Sequence, residues 1–485
     1  MKRTTTITIT PLLHFASSLF FVVLLKSVLA DSSYQEKKLL DLQSFQLKHL
    51  HHNALATCFS HKSSRKEDST RLEIKHKDFC FKKSTDPYLR LKQRLILDTK
   101  QVQFLQSQIR KSISTKTQKQ SDTRIPITSG TRLQILNYVI TMNLGGKNMT
   151  VIVDTGSDLT WVQCQPCKSC YTQNEPLYNP TTSVTYRPIP CNSSDCRSFQ
   201  DASGNPGPCG YRQSGCNYLV NYGDGSYTRG ELGKERVILG KAMINKFVFG
   251  CGRSNKGLFG GASGLMGLGN SALSFVTQTS NQFGGVFSYC LPSSDLGDSG
   301  SLNLGGNYSM YKNVTPISYT KMVHSPGLST FYMLNLTGIR VGGVGLNSTS
   351  FGQNGVLLDS GTVITRLPPS VYTALKAEFV KQFSGFPEAP AFSILDTCFN
   401  LSTYKEVNIP TVQMAFEGNA ELNVHVNGIF YFVKPDASQI CLAFASLMYE
   451  DEIAIIGNYQ QQNLRVVYDT KQFVVGFAEE ECSFD

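Results

Sequence analysis

Two aspartates in matching surroundings hold most of the chemistry this sequence can do. "VIVDTGSDLTWV" runs from Val151 to Val162, and "VLLDSGTVITRL" from Val356 to Leu367. In each, apolar β-formers lead into an Asp, a hydroxyl residue, a Gly and a second hydroxyl residue: Asp154-Thr155-Gly156-Ser157 and Asp359-Ser360-Gly361-Thr362. One strand ending in Asp-x-Gly is a common turn and says little. Two with the same flanks point to a duplicated unit. Equivalent residues of two similar lobes meet near the axis relating them, which would set Asp154 and Asp359 together at the floor of a cleft. Carboxylates that close cannot both ionise easily, so the pair holds one proton over a wide pH range. The ionised member can take a proton from water while the protonated member donates to a carbonyl oxygen. Such a pair hydrolyses amides with neither a metal nor a covalent intermediate. Gly156 and Gly361 permit turns that bring backbone N–H groups to the carboxylates. Ser157 and Thr362 can hydrogen-bond those carboxylates, and Thr155 and Ser360 can tie the turns together beneath them.

The elements that must position this pair are mostly strands. From Thr131 onward Gly is frequent, and short runs such as "LNYVITMNL", "MTVIVDTG", "CNYLVNYG", "KFVFGCG", "FYMLNLTGIRV" and "NLRVVYDT" read as strands between turns. Helical patterns are few; "PPSVYTALKAEFVKQFSG" is the clearest, with prolines at its start and Gly385 after it. The duplication extends to "GLMGLG" (264–269) and "IAIIGNYQ" (453–460), an apolar pair followed by Gly in each case. The expected fold is mainly β and bilobal, with the cleft between two duplicated β lobes.

The N-terminal third has a different texture. Lys2 and Arg3 precede an apolar run closing on Ala30, the layout of a secretory signal over residues 1–30. His14 and Lys26 interrupt that run and leave it short for a membrane span, and a Thr-rich start without acids also suits a plastid transit peptide. Residues 31–130 carry 20 Lys/Arg against 10 Asp/Glu, whereas 131–485 carry 23 against 26. A basic arm suits nucleic acid; a removable prosegment lying over an acidic cleft explains the leader as well and is the preferred reading. Leu91, Leu95, Val102, Leu105 and Ile109 recur at helical spacing, predicting an amphipathic helix from about Pro87 to Ser112. "STKTQKQSDTRIPITSGT" then reads as an exposed, cleavable linker.

Cysteines and sequons support passage through the secretory route. Of 14 cysteines, 12 lie in the body: Cys164, Cys167, Cys170, Cys191, Cys196, Cys209, Cys216, Cys251, Cys290, Cys398, Cys441 and Cys482. An even set suits disulfides, with Cys58 and Cys80 left to pair with each other. Cys164, Cys167 and Cys170 show C-x2-C-x2-C spacing, but no fourth Cys follows at cluster distance, so metal is not expected. Sequons begin at Asn148, Asn192, Asn307, Asn313, Asn335, Asn347 and Asn400, all beyond residue 130. The C-terminal "VGFAEEECSFD" lacks a hydrophobic tail, so no stable membrane anchor is expected. A nucleotide-binding Gly loop, a zinc H-E-x-x-H and a G-x-S-x-G elbow are each missing a required part.

"DTGSDLTWVQCQPC", "NYGDGSYTRGELGKE", "GLMGLG", "LLDSGT" and "IIGNYQQQNLRVVYD", in that order, make residues 131–485 resemble pepsin-type aspartic proteases, specifically the nepenthesin-type plant branch. "LEIKHKDFCF" resembles that branch's pro-region. The resemblance implies Asp154 and Asp359 as the catalytic pair and "NYGDGSY" as the flap that closes over substrate. Within the flap it implies Tyr222 as the functional tyrosine, followed by Gly223 and Asp224. Trp161, the only tryptophan, takes the position whose indole supports that tyrosine. Ser360 stands where the first motif has Thr155 and keeps the hydroxyl. The N-terminal lobe is expected over 131–312, with a cysteine-rich insertion at 164–216, and the C-terminal lobe over 313–485. The expected product is a monomeric, glycosylated aspartic endopeptidase made as a zymogen. It would act on peptides at acidic pH, without a cofactor or nucleic acid, in the apoplast or the endomembrane lumen. A catalytically silent binding or inhibitor protein on the same fold is the alternative.

Overall fold

The computed structural model describes residues 40–47, 62–66, 69–77, 86–114, 138–197, 215–222, 225–257, 259–293, 299–324, 328, 330–347, 351 and 355–484. The expected signal and linker, Cys58, Cys80, Cys209, Gly223 and Asp224 lie outside them.

Strand Lys147–Asp154 buries Val151, Ile152 and Val153 on both faces, as a continuous apolar run demands. It pairs antiparallel with Tyr138–Leu144 and parallel with Gly264–Gly267, setting Ile152 opposite Leu265 and Asp154 opposite Gly267. Gly264–Gly267 also runs antiparallel to Trp161–Gln163, with Leu265 opposite Trp161. The second half repeats the arrangement. Val356–Leu358 is parallel to Ala454–Ile456, Leu357 opposite Ile455, and Ile455 faces Arg366 of the antiparallel strand Thr365–Leu367. Ile152 thus corresponds to Leu357, Leu265 to Ile455, and Trp161 to Arg366. The glycine closing each apolar pair is a steric requirement of this crossing. A Cβ on Gly267 would lie 2.3 Å from the Asp158 carbonyl, and one on Gly457 would lie 2.5 Å from that of Val363.

One sheet joins the halves. Leu464–Asp469 and Val474–Glu479, near the C-terminus, pair with each other, and the first pairs with Val286–Cys290. From there the sheet passes through Ser299–Leu304, Ser69–His76 and Tyr138–Leu144 to the strand ending in Asp154. Ser69–His76 comes from the basic N-terminal segment, which is therefore built into the fold, with Leu72 and Ile74 buried.

The predicted helix spans Pro87–Ser114. Leu95 and Leu97 pack with Val363, Ile364 and Tyr459, while Val102, Leu105 and Ile109 pack with Leu357, Ile453 and Ile455. Each such side chain contributes roughly 1.5–3 kcal/mol when fully buried, so the apolar stripe is ample to hold the helix on the second lobe. The other expected helix spans Pro369–Gln382 and buries Val371, Tyr372, Leu375 and Phe379.

Disulfides join Cys164–Cys251, Cys167–Cys170, Cys196–Cys216, Cys290–Cys482 and Cys398–Cys441, and Cys191 is also disulfide-bonded. The sulfurs of the C-x2-C-x2-C run are thus consumed in disulfides, with one leaving the cysteine-rich window for Cys251. Asn148, Asn192, Asn313 and Asn347 are exposed, and Asn307, Asn335 and Asn400 half-buried. Among the described residues no helix is long and apolar enough to cross a membrane.

Candidate active site

Both aspartates end buried strands, and the turns after them bring the carboxylates together. Asp154 Oδ1 accepts from Gly156 N at 3.0 Å and Oδ2 from Ser157 Oγ at 2.5 Å. Asp359 Oδ1 accepts from Gly361 N at 2.9 Å and Oδ2 from Thr362 Oγ1 at 2.6 Å. The two settings are the same, bond for bond. A Cβ on Gly156 would stand 2.7 Å from Asp359 Oδ1 and 3.3 Å from Asp154 Oδ1. Both inner oxygens therefore converge on one point, and only glycine leaves it open.

Beneath the pair, Thr155 N donates to Ser360 Oγ at 3.1 Å and Ser360 N donates to Thr155 Oγ1 at 2.9 Å. This reciprocal tie fixes one turn to the other. Asn458 Nδ2 donates to Ser360 O at 2.9 Å and Gln461 Nε2 to Asp359 O at 3.4 Å, so residues 458–461 support the second turn from behind.

Burial sets the electrostatics. Asp154 and Asp359 are 2% and 0% exposed. Desolvation raises the pKa of Asp154, against the pull of its bonds from Ser157 and Gly156. Desolvation and then the Asp154 charge push Asp359 up to about 7, against Thr362 and Gly361. Both shifts run upward, so the two carboxylates titrate as one coupled pair that takes up a proton more readily than free carboxylates do.

Over the first lobe, Asn217–Asn221 and Tyr227–Leu239 form a hairpin whose tip begins at Tyr222. Tyr222 N donates to Ser226 O at 2.8 Å. Trp161 Nε1 donates to Tyr222 Oη at 2.7 Å, and Phe259 meets the indole edge-on with ring centroids 4.8 Å apart. The sole tryptophan, fully buried, thereby anchors the hairpin tip through its one polar atom.

Three residues of the site, Asp158, Asp98 and Arg366, were given no role by the sequence. Asp158 is half-buried, desolvation raises its pKa, and its carboxylate accepts from Ser271 N at 2.9 Å, fastening the loop after "GLMGLG". Asp98, on the long helix, is fully buried. Its carboxylate accepts from Val363 N at 2.6 Å and Ile364 N at 3.3 Å and pairs with Arg366 Nη2 at 2.7 Å. Nothing in the sequence marked Asp98, a single acid in a basic helix, or Arg366 as its partner.

Comparison with known proteins decides the family. The "Xylanase inhibitor N-terminal" family model matches residues 138–306, and the "Xylanase inhibitor C-terminal" model residues 331–479. An aspartyl protease family protein of Arabidopsis thaliana is 44% identical over 397 residues, covering 80% of this chain and 82% of that protein. The chain belongs to the pepsin-like aspartic proteases of plants. As an aspartic-type endopeptidase it is similar across nearly its whole length to Aspartyl protease AED1 of Arabidopsis thaliana, at 35% identity over 92% of this chain and 93% of that one. Aspartic proteinase nepenthesin-1 of Nepenthes gracilis is 34% identical over 71% and 78%. The fold matches the solved structure of basic 7S globulin from soybean, with a TM-score of 0.55 at 20% identity over 71% of this chain and 91% of that one.

Proposed function

We propose that this aspartic protease is made as a secreted zymogen and cuts peptides at acidic pH through a water activated between Asp154 and Asp359. The observation that carries the reading is the matched pair of buried carboxylates, which converge on one point and both titrate above the usual carboxylate range. The ionised Asp154 takes a proton from the water, whose oxygen bonds to the scissile carbonyl carbon. Asp359 gives its proton to the carbonyl oxygen, forming a tetrahedral diol. That intermediate collapses as a proton passes to the amide nitrogen, the C–N bond breaks and the free acid and amine leave. This is the established chemistry of aspartic proteases.

The zymogen reading rests on the basic segment, whose strand lies in the interlobe sheet and whose helix lies on the second lobe. The secretory reading rests on the N-terminal layout, the disulfides and the sequons, none of them buried. The segment's own helix and strand make it the first intramolecular partner; extended peptides with apolar residues beside the cut are the second. The full chain, secreted and moved to pH 4, should shorten to a body beginning near residue 131 and gain activity as it does so. A transition-state-mimicking hydroxyl peptide should block both events. A chain fully active before any cut would end the zymogen reading.

The family models' inhibitor descriptions give a second reading some weight: a silent binding protein on this fold. The complete set of carboxylates, hydroxyls and Trp161–Tyr222 contact favours catalysis.

A further inference from the structure

The two lobes differ in what covers their equivalent inner walls. In the first lobe, Ile152, Leu265 and Trp161 lie under the hairpin with Tyr218, Tyr222 and Leu232. In the second, the corresponding Leu357 and Ile455 lie under Val102, Leu105 and Ile109 of the long helix, and the corresponding Arg366 lies under Asp98. The helix thus holds, on the second lobe, the place that the hairpin holds on the first. It covers the wall that begins directly after the catalytic turn: Val363 is the residue after Thr362, four past Asp359.

Asp98 fills a site on that wall made for a carboxylate. Two successive backbone N–H groups and a guanidinium converge on it, all three bonds made in full burial. Arg366 is 3% exposed, and its Nε has no hydrogen-bond partner among the described residues, so the fork can take another acceptor. A buried guanidinium left without an anion is costly. When the helix leaves, Val363 N, Ile364 N and Arg366 open to water together and can take another carboxylate in the same three-donor geometry. Apolar Leu357, Ile455 and Val363 surround them. The Asp98 charge also acts on Asp359, placing this site within electrostatic reach of the catalytic pair.

Building on the protease reading above, we propose that Val363 N, Ile364 N and Arg366 form a substrate subsite for an acidic side chain, and that Asp98 of the helix occupies it in the uncut chain. The preferred substrates are peptides with a Glu or Asp near the cut among apolar residues. At about 3.3 Å per residue, four residues from Asp359 to Val363 place that acid within about four residues of the scissile bond.

The test uses full-length secreted protein activated in acid. Quenched peptides with an apolar pair at the cut carry Glu or Gln at each of four positions on either side. At pH 5.5 one position should favour Glu over Gln by about ten- to a hundredfold in kcat/KM, the range of a charge-assisted bond. The ratio should shrink toward one at pH 3, because a Glu carboxyl with an ordinary pKa of about 4.3 is then protonated. Arg366→Met should abolish the ratio and Arg366→Lys should keep part of it, a check that the site still folds. A ratio near one at every position, or one unchanged in Arg366→Met, overturns the subsite. If wild type cuts nothing, the protease reading fails separately. Fluorescence anisotropy with the same labelled peptides then decides the subsite, and equal affinity for the Glu and Gln peptides would overturn it.

Discussion

Removing the hydroxyl donors of the two carboxylates one at a time should move opposite limbs of the pH–rate profile. Ser157 Oγ donates to Asp154 and Thr362 Oγ1 to Asp359, and each bond favours the ionised form of its own carboxylate. A hydrogen bond to a charged group contributes roughly 1.5–3 kcal/mol. At 1.36 kcal/mol per pKa unit, its loss raises that carboxylate's pKa by about one to two units. The proposed mechanism has Asp154 ionise first, so Ser157→Ala should move the acid limb of kcat/KM up by that amount and leave the alkaline limb near its place. It has Asp359 keep the shared proton, so Thr362→Val should move the alkaline limb up instead. The assay is initial-rate cleavage of one quenched apolar peptide in half-unit steps from pH 2.5 to 8, with folding checked by circular dichroism at each end. Crossed behaviour, with Ser157→Ala moving only the alkaline limb, would mean Asp154 holds the proton. No movement in either variant would refute the claim that these hydroxyls hold the carboxylates ionised.

Two further outcomes follow from the same geometry. Trp161→Phe and Tyr222→Phe should each lower kcat/KM by about tenfold, one hydrogen bond's worth. The double variant should be no worse than either single, and additive losses in that cycle would show that the two side chains act apart. The raised Asp359 pKa makes the folded chain bind that proton more tightly than the unfolded chain, so this contribution to stability is present in acid. It is lost as pH rises from the unfolded value of 3.8 to about 7, about 4 kcal/mol at most. Urea unfolding at pH 5 and 7.5 should show wild type losing stability relative to Asp359→Asn, and a gap independent of pH would count against the buried charge.

The geometry of the candidate site was legible because each part needs a particular residue type at a fixed offset. Asp154 and Asp359 must end apolar strands. Gly156 must lack a Cβ, which would crowd both inner oxygens. Gly267 and Gly457 must admit a crossing chain, so the apolar-apolar-Gly signal survives in both halves. The mainly β texture was legible for a similar reason: Val151, Ile152 and Val153, buried in one strand, are a continuous β-branched run. The cover of the second lobe was not. The helix showed in its periodicity, but periodicity says only that one face is apolar, not what it meets. Asp98 and Arg366 are 268 residues apart, and a lone acid among lysines and arginines reads as a solvated face until its burial is known. Disulfide pairing was hidden likewise: the seven cysteines at 164–216 cannot all pair among themselves, and only the fold identified Cys251 as the partner of Cys164.

Hydrolysis by the two carboxylates together is tested by cleavage of a quenched apolar peptide from pH 3 to 7 by wild type, Asp154→Asn and Asp359→Asn. Each is secreted as the full chain and freed of its N-terminal segment by the same added protease. Acid-dependent cleavage by wild type, at least a thousandfold lower in both variants, is the result this account predicts. Folded wild type as inert as the variants, or a single Asn variant that keeps wild-type rates, would contradict it.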